Sequence, residues 1–241
     1  MIRTILFDLD GTLLPMDQDK FTTVYFGKLG ESMAQLHEPE ALISAVWKGT
    51  RAMLKNDGRK TNEAVFWDYY SGVFGPAARE EEPLFADFYE RRFRELRPLC
   101  GMDPAVGPLT AALADAGYTL AAATNPVFPM TAQQQRLSWT GADPKAFSRI
   151  TSYENSRFCK PNPAFYTEVL AHLNASPEET LMVGNDVKED MDAAKKAGIN
   201  GFLITACLLN PENKDISAYP HGNFADLKRY IADNGFRTLA D

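Results

Sequence analysis

The chain has 241 residues, 45% hydrophobic and 24% charged, with a formal net charge of −7. Such a balance supports a substantial buried core and argues against a nucleic-acid-binding face, while leaving room for a small anionic ligand at a locally positive site. No apolar run approaches the roughly 20 residues of a membrane span. No signal-peptide pattern follows Arg3, and Cys100, Cys159 and Cys207 are odd in number and far apart, so we expect a cytoplasmic protein with reduced thiols and no zinc or dithiol site.

The first predicted element is a strand over Arg3–Asp8, and it runs directly into Asp8-Leu9-Asp10-Gly11-Thr12-Leu13. Two carboxylates at the end of a buried strand are costly unless they are paired or hold a metal. Helical patterns follow at 18–29, 39–55, 61–74 and 81–96, with no convincing strand among them. Aromatics recur there at helical spacing, as in Phe85, Phe88, Tyr89 and Phe93, and read as the core of a helix bundle. From residue 99 the texture changes. Helices predicted at 104–116, 128–139, 162–173 and 188–197 alternate with short apolar strands at 118–123, 149–152, 181–184 and 201–205. Gly117 and Gly198 stand where helices should stop. Alternation of this kind implies an α/β fold with a parallel sheet covered on both faces. The first strand belongs to that sheet, so the helical block is an insertion. The expected division is a core of residues 1–15 and 98–241 and an inserted all-helical domain of residues 16–97.

Ligands of an open parallel sheet bind beyond the carboxyl ends of its strands. The residues expected there are Asp8 and Asp10, then Thr124 and Asn125, then Lys160, then Asn185, Asp186 and Asp190. Asp8, Asp10 and Asp186 would raise one another's pKa by repulsion, and a hard divalent cation such as Mg²⁺ removes that problem. Thr124 and the backbone amides near Asn125 and Gly11 can donate to phosphate oxygens. Lys160 can neutralise a carboxylate and a transferred phosphoryl group. Asp8 is placed to attack phosphorus, and Asp10 to serve as general acid and base.

Taken in order, Asp8-Leu-Asp10-Gly-Thr-Leu, Thr124-Asn, Lys160-Pro and Gly184-Asn-Asp186-x-x-x-Asp190 resemble the four motifs of the haloacid dehalogenase-like (HAD) hydrolase superfamily, over residues 3 to about 205. The resemblance implies a Rossmann-like core with a helical cap of the C1 type. It places the nucleophile on Asp8, the acid/base on Asp10, the phosphate-binding threonine on Thr124 and the motif-three lysine on Lys160. Magnesium would be held by Asp8, the Asp10 carbonyl and Asp186. Asn185 and Asp190 would stand behind the ligands, with Asp190 positioning Lys160 or a metal-bound water. The fourth motif departs from the commoner pattern, since Asn185 rather than an acid follows Gly184. The activity expected is a Mg²⁺-dependent phosphatase for a small phosphorylated metabolite. A phosphomutase sharing the phosphoenzyme, or a non-catalytic phosphometabolite-binding protein, is the alternative; Asp10 argues against a dehalogenase. Met16, Asp17, Gln18, Lys48, Arg51, Lys55 and Asn56 are candidates for substrate contact, and His37, His172 and His221 are given no role. Oligomeric state leaves no mark in the sequence.

Overall fold

Short runs of leucine, isoleucine, valine and alanine form strands here because both faces of the sheet are covered, so no polar alternation is needed. The computed structural model describes residues 1–235. Its sheet has six strands: β1 (Thr4–Phe7), β2 (Thr119–Ala122), β3 (Phe147–Ile150), β4 (Thr180–Gly184), β5 (Asn200–Ile204) and β6 (His221–Gly222). They lie in the order β3-β2-β1-β4-β5-β6, and every pairing is parallel. The alternation of the strands divides the core in two. Ile5 and Phe7 face α5 (Val106–Asp115), α9 (Phe224–Asn234) and the helical block, through residues such as Leu113, Leu227 and Phe93. Leu6 and Met182 face α7 (Pro163–Leu173) and α8 (Ala193–Lys196), through Phe165, Val169 and Ala194.

The helical block follows β1 as α1 (Gln18–Met33), α2 (Pro39–Leu54), α3 (Asn62–Phe74) and a broken segment. One helix was expected over 81–96. The chain instead runs through a 3-10 turn at Pro76–Glu81, α4 (Glu82–Asp87), a π turn at Phe88–Arg92 and a further 3-10 stretch at Phe93–Leu99. Packing explains the break. In an α-helix, residues five apart point about 140° away from each other, whereas the wider π turn brings them close to one face. Here the Phe93 N–H bonds Phe88 O, and Phe88, Tyr89 and Phe93 all pack on Tyr25, with centroids 6.0, 6.4 and 6.2 Å away. β3 lies two residues earlier than expected, and β6 and α9 fall in a stretch where no element was forecast. No helix among the described residues is long and apolar enough to cross a membrane.

The block leaves and re-enters the core at one place. Met16 and Cys100 form an antiparallel bridge, and the Gly101 N–H donates to Pro15 O at 2.7 Å. It is also docked on the core by the start of α3. Asn62, fully buried, donates from Nδ2 to Pro126 O (3.1 Å) and Cys159 Sγ (3.3 Å), and its Oδ1 accepts from Asn56 (2.8 Å). The N–H groups of Asn62 and Glu63 donate to Ser156 O and Tyr153 O. Backbone donors that a helix start leaves unsatisfied are thus met by core carbonyls. Asn62→Leu strands several of these buried partners and is expected to cost about 1–3 kcal/mol, read as a lowered urea midpoint at unchanged m-value.

Candidate active site

Strand register assembles the site. Phe7 is level with Ala122 on one side and Val183 on the other, so Thr124, Asp8 and Asn185 emerge close together beyond the carboxyl ends of β2, β1 and β4 respectively. Lys160 reaches them from the loop between β3 and α7. Its ammonium is buried between two carboxylates, 2.7 Å from Asp8 Oδ1 and 2.7 Å from Asp190 Oδ1. Burial works against the charged lysine, but Asp190 and Asp8 outweigh it and hold its pKa well above the ordinary value. Burial pushes Asp190 up to about 7, with Lys160 pulling back and Asp8 adding to the rise. The Lys160–Pro161 peptide is cis. Asn125 links the loops: its Oδ1 accepts from the Lys160 N–H (3.2 Å) and its Nδ2 donates to Glu189 (3.1 Å). Thr151 tethers the loop that carries Thr124 by donating to Thr124 O at 2.6 Å.

The segment after β4 winds as a π turn over Val187–Asp192, with Asp190 and Met191 both donating to Asp186 O. That extra width turns Asp190 back under the strand end, where Oδ2 accepts from the N–H groups of Asn185 and Asp186, each at 3.0 Å. The approach is so close that a Cβ on Gly184 would lie 2.2 Å from Asp190 Oδ2. Asp190 therefore sits behind the site, holding Lys160 with one oxygen and the loop backbone with the other. Asp186 caps its own turn, accepting from Lys188 and Glu189 on Oδ1, and lines the cavity. Asn185 accepts from Thr12 Oγ1 (3.0 Å) and donates to Cys207 O (2.6 Å); the same Thr12 hydroxyl is 3.3 Å from Asp8 Oδ2.

Gly11 needs correction. Its N–H, expected to face phosphate, donates to Leu14 O at 2.8 Å inside the turn. Glycine is required there for a different reason: φ is +84° and a Cβ would lie 2.3 Å from Asn185 Nδ2. Among the described residues, the N–H groups of Leu9 and Asp10 have no backbone acceptor, and of the two residues Asp10 lines the cavity.

Arg136 was missed. It rises from α6 (Met130–Trp139) and is almost wholly buried, bonding Asp10 Oδ2 and Gln133 Oε1 and lying 4.6 Å over the Phe128 ring. The signal was present in Gln133 and Arg136, one helical turn apart on a helix that must pack on the sheet. Burial pushes the Asp10 carboxyl above its ordinary value, Arg136 opposes the shift, and Asp8 adds to it. Asp10 Oδ1 is buried with no hydrogen-bond partner among the described residues.

Five carboxylates, those of Asp8, Asp10, Asp186, Glu189 and Asp190, converge on this cavity against two cations, Arg136 and Lys160. Among the described residues no three acidic, histidine or cysteine side chains stand together at metal-site spacing. The donor set nevertheless fits a hard cation held by few protein oxygens, since Asp8, Asp186 and the Asp10 carbonyl are all oxygen donors and excess negative charge is present to balance. The cavity extends from these acids into the helical block and measures about 410 Å³. Of the residues proposed for substrate contact, Met16 and Gln18 line it. Asp17 caps α1, and Asn56 bonds Lys60 O and Asn62 within the block. Lys48, Arg51 and Lys55 are exposed and do not line the cavity.

The chain matches the family model described as haloacid dehalogenase-like hydrolase over residues 2–198. It is 26% identical to a glyceraldehyde 3-phosphate phosphatase from Methanothermobacter thermautotrophicus, over 90% of this chain and 91% of the relative. It is 30% identical to a phosphoglycolate phosphatase from Vibrio vulnificus, over 85% and 84%. A 2-haloacid dehalogenase structure from Pseudomonas syringae superposes with a TM-score of 0.63 at 21% identity, covering 98% of this chain and all of the other, a likeness of fold.

Removing the cation between Asp8 and Asp190 leaves two carboxyl groups without their shared buried partner. Lys160→Met is expected to lower stability by about 3–5 kcal/mol at neutral pH in chelator-treated buffer, measured by urea denaturation.

Proposed function

The chain belongs to the haloacid dehalogenase-like hydrolases, and from that footing we propose that it is a Mg²⁺-dependent phosphatase acting through an aspartyl phosphate on Asp8. One observation carries the reading: Asp8 at the strand end shares a buried lysine with Asp190, while Asp10, two residues on, faces the same cavity. The phosphatase relatives make a phosphate monoester the natural substrate class. Residues 16–97 act as the cap over the leaving group, and magnesium, which Asp8, Asp186 and the Asp10 carbonyl would hold, would supply charge to offset that on the phosphoryl oxygens.

Lys160 holds the Asp8 carboxylate in place and adds positive charge where the phosphoryl group sits. An Asp8 oxygen forms a bond to phosphorus as the ester P–O bond breaks, and Asp10 gives its proton to the departing alkoxide. Water then adds to the same phosphorus, Asp10 takes a proton from it, and the Asp8–phosphorus bond breaks. The sum is monoester plus water giving alcohol plus orthophosphate. Burial favours the protonated Asp10 needed first, and Arg136 favours the ionised form needed second. Thr124 and the Asp10 amide are the donors nearest the phosphoryl position in this reading.

Hydrolysis of p-nitrophenyl phosphate with Mg²⁺, abolished by EDTA, tests the proposal. Asp8→Asn should reduce kcat by at least about a thousandfold, and full activity in that variant rules out the nucleophile. Arg136→Met removes a group that lowers the Asp10 pKa. Because p-nitrophenolate leaves without a proton, the base step limits, so the acid limb of the kcat profile should move to higher pH.

A further inference from the structure

The cavity is built for something larger and less polar than a two- or three-carbon phosphate ester. Its floor is the charged site. Its walls are rings, contributed by Tyr25, Trp47, Phe66 and Tyr89 from the helical block and Phe128 and Tyr153 from the core. At about 410 Å³ it falls in the range, roughly 300–1,000 Å³, of sites that enclose drug-sized ligands. A small hydrophilic ester would leave most of that apolar surface against trapped water.

Charge points the same way. Among the described residues lining the cavity, Arg136 is the single cation, and Asp10, Gln133 and the Phe128 face already occupy it. Lys160 is spent on two carboxylates below. The basic side chains of α2 lie outside, so a carboxylate on the leaving group would find no unengaged cation among the lining side chains. Gln18, Thr22 and Thr50 supply neutral hydrogen-bonding groups among the rings. Trp47, at 48% exposure, stands at the rim with its ring edge-on to Phe26 at 5.9 Å.

We propose that the substrates are phosphate monoesters of uncharged, ring-bearing alcohols, the ring lying between the cap and core aromatics while the phosphoryl group meets Asp8. This inference rests on the phosphatase reading above. It also separates the chain from a substrate such as phosphoglycolate, which one of its relatives is named for.

The test compares 2-phenylethyl phosphate, ethyl phosphate and phosphoglycolate with Mg²⁺ by orthophosphate release, with p-nitrophenyl phosphate run alongside. The two alkyl esters carry leaving groups of similar basicity, so the comparison isolates the ring. The phenylethyl ester should exceed ethyl phosphate in kcat/KM by at least about tenfold, chiefly through KM, and phosphoglycolate should be poorest. Trp47→Ala should shrink the phenylethyl-to-ethyl ratio at least about threefold. A ratio near one, or a preference for phosphoglycolate, overturns the substrate class and leaves the phosphatase reading standing. Failure of p-nitrophenyl phosphate and all three esters overturns both.

Discussion

One buried ammonium organises this molecule. Lys160 lies between Asp8 and Asp190 at 2.7 Å from each, where water cannot screen the charges. Stranding either carboxylate there would cost several kcal/mol, a large part of a domain's stability. The surrounding architecture serves that contact. Gly184 clears space for Asp190, the π turn after β4 swings Asp190 underneath, and two backbone amides fill its second oxygen. Asn125 fixes the lysine's own backbone. Asp8 is thereby presented to the cavity in a set position before any ligand arrives.

A second ion pair stands nearer the cavity and behaves differently. Asp10 meets Arg136, yet about a quarter of its side chain still faces open space and one oxygen has no hydrogen-bond partner among the described residues. Lys160 and Asp190 are almost wholly buried, whereas Asp8 faces the cavity and the Asp10–Arg136 pair is open on one side. In the proposed mechanism Asp10 gives up and regains a proton through that opening, while Lys160 and Asp190 hold Asp8 in place.

The core was legible because its signals are local. A strand ending in two acids, a Thr-Asn after the next strand and a Gly-Asn-Asp after a third can be aligned once a parallel sheet is inferred. Lys160 and Asp190 followed from the same pattern. Arg136 left only a faint mark, the Gln133/Arg136 spacing on α6, and its partner Asp10, 126 residues away, is visible only once the chain is folded. Gly11 was read as a phosphate donor, but its N–H closes the turn on Leu14, and only the fold brings Asn185 against it. The broken segment after α3 escaped notice since a π turn and an α-helix differ by one residue per turn, less than aromatic spacing resolves. Basic residues on α2 looked inviting as a stripe, but helix faces carry no label, and the aromatics won the inside.

The paired exit and entry of the helical block, Met16 beside Cys100 and Pro15 joined to Gly101, has an evolutionary corollary. To the sheet, eighty-odd residues amount to a closed loop whose two ends stay neighbours whatever lies between them. Exchanging or resizing that excursion leaves β1 able to pair with β2 and β4 in the same register, with the strand-end carboxylates where they were. Selection can therefore remodel the aromatic walls of the cavity without disturbing its acidic floor, and the two ends can diverge at different speeds.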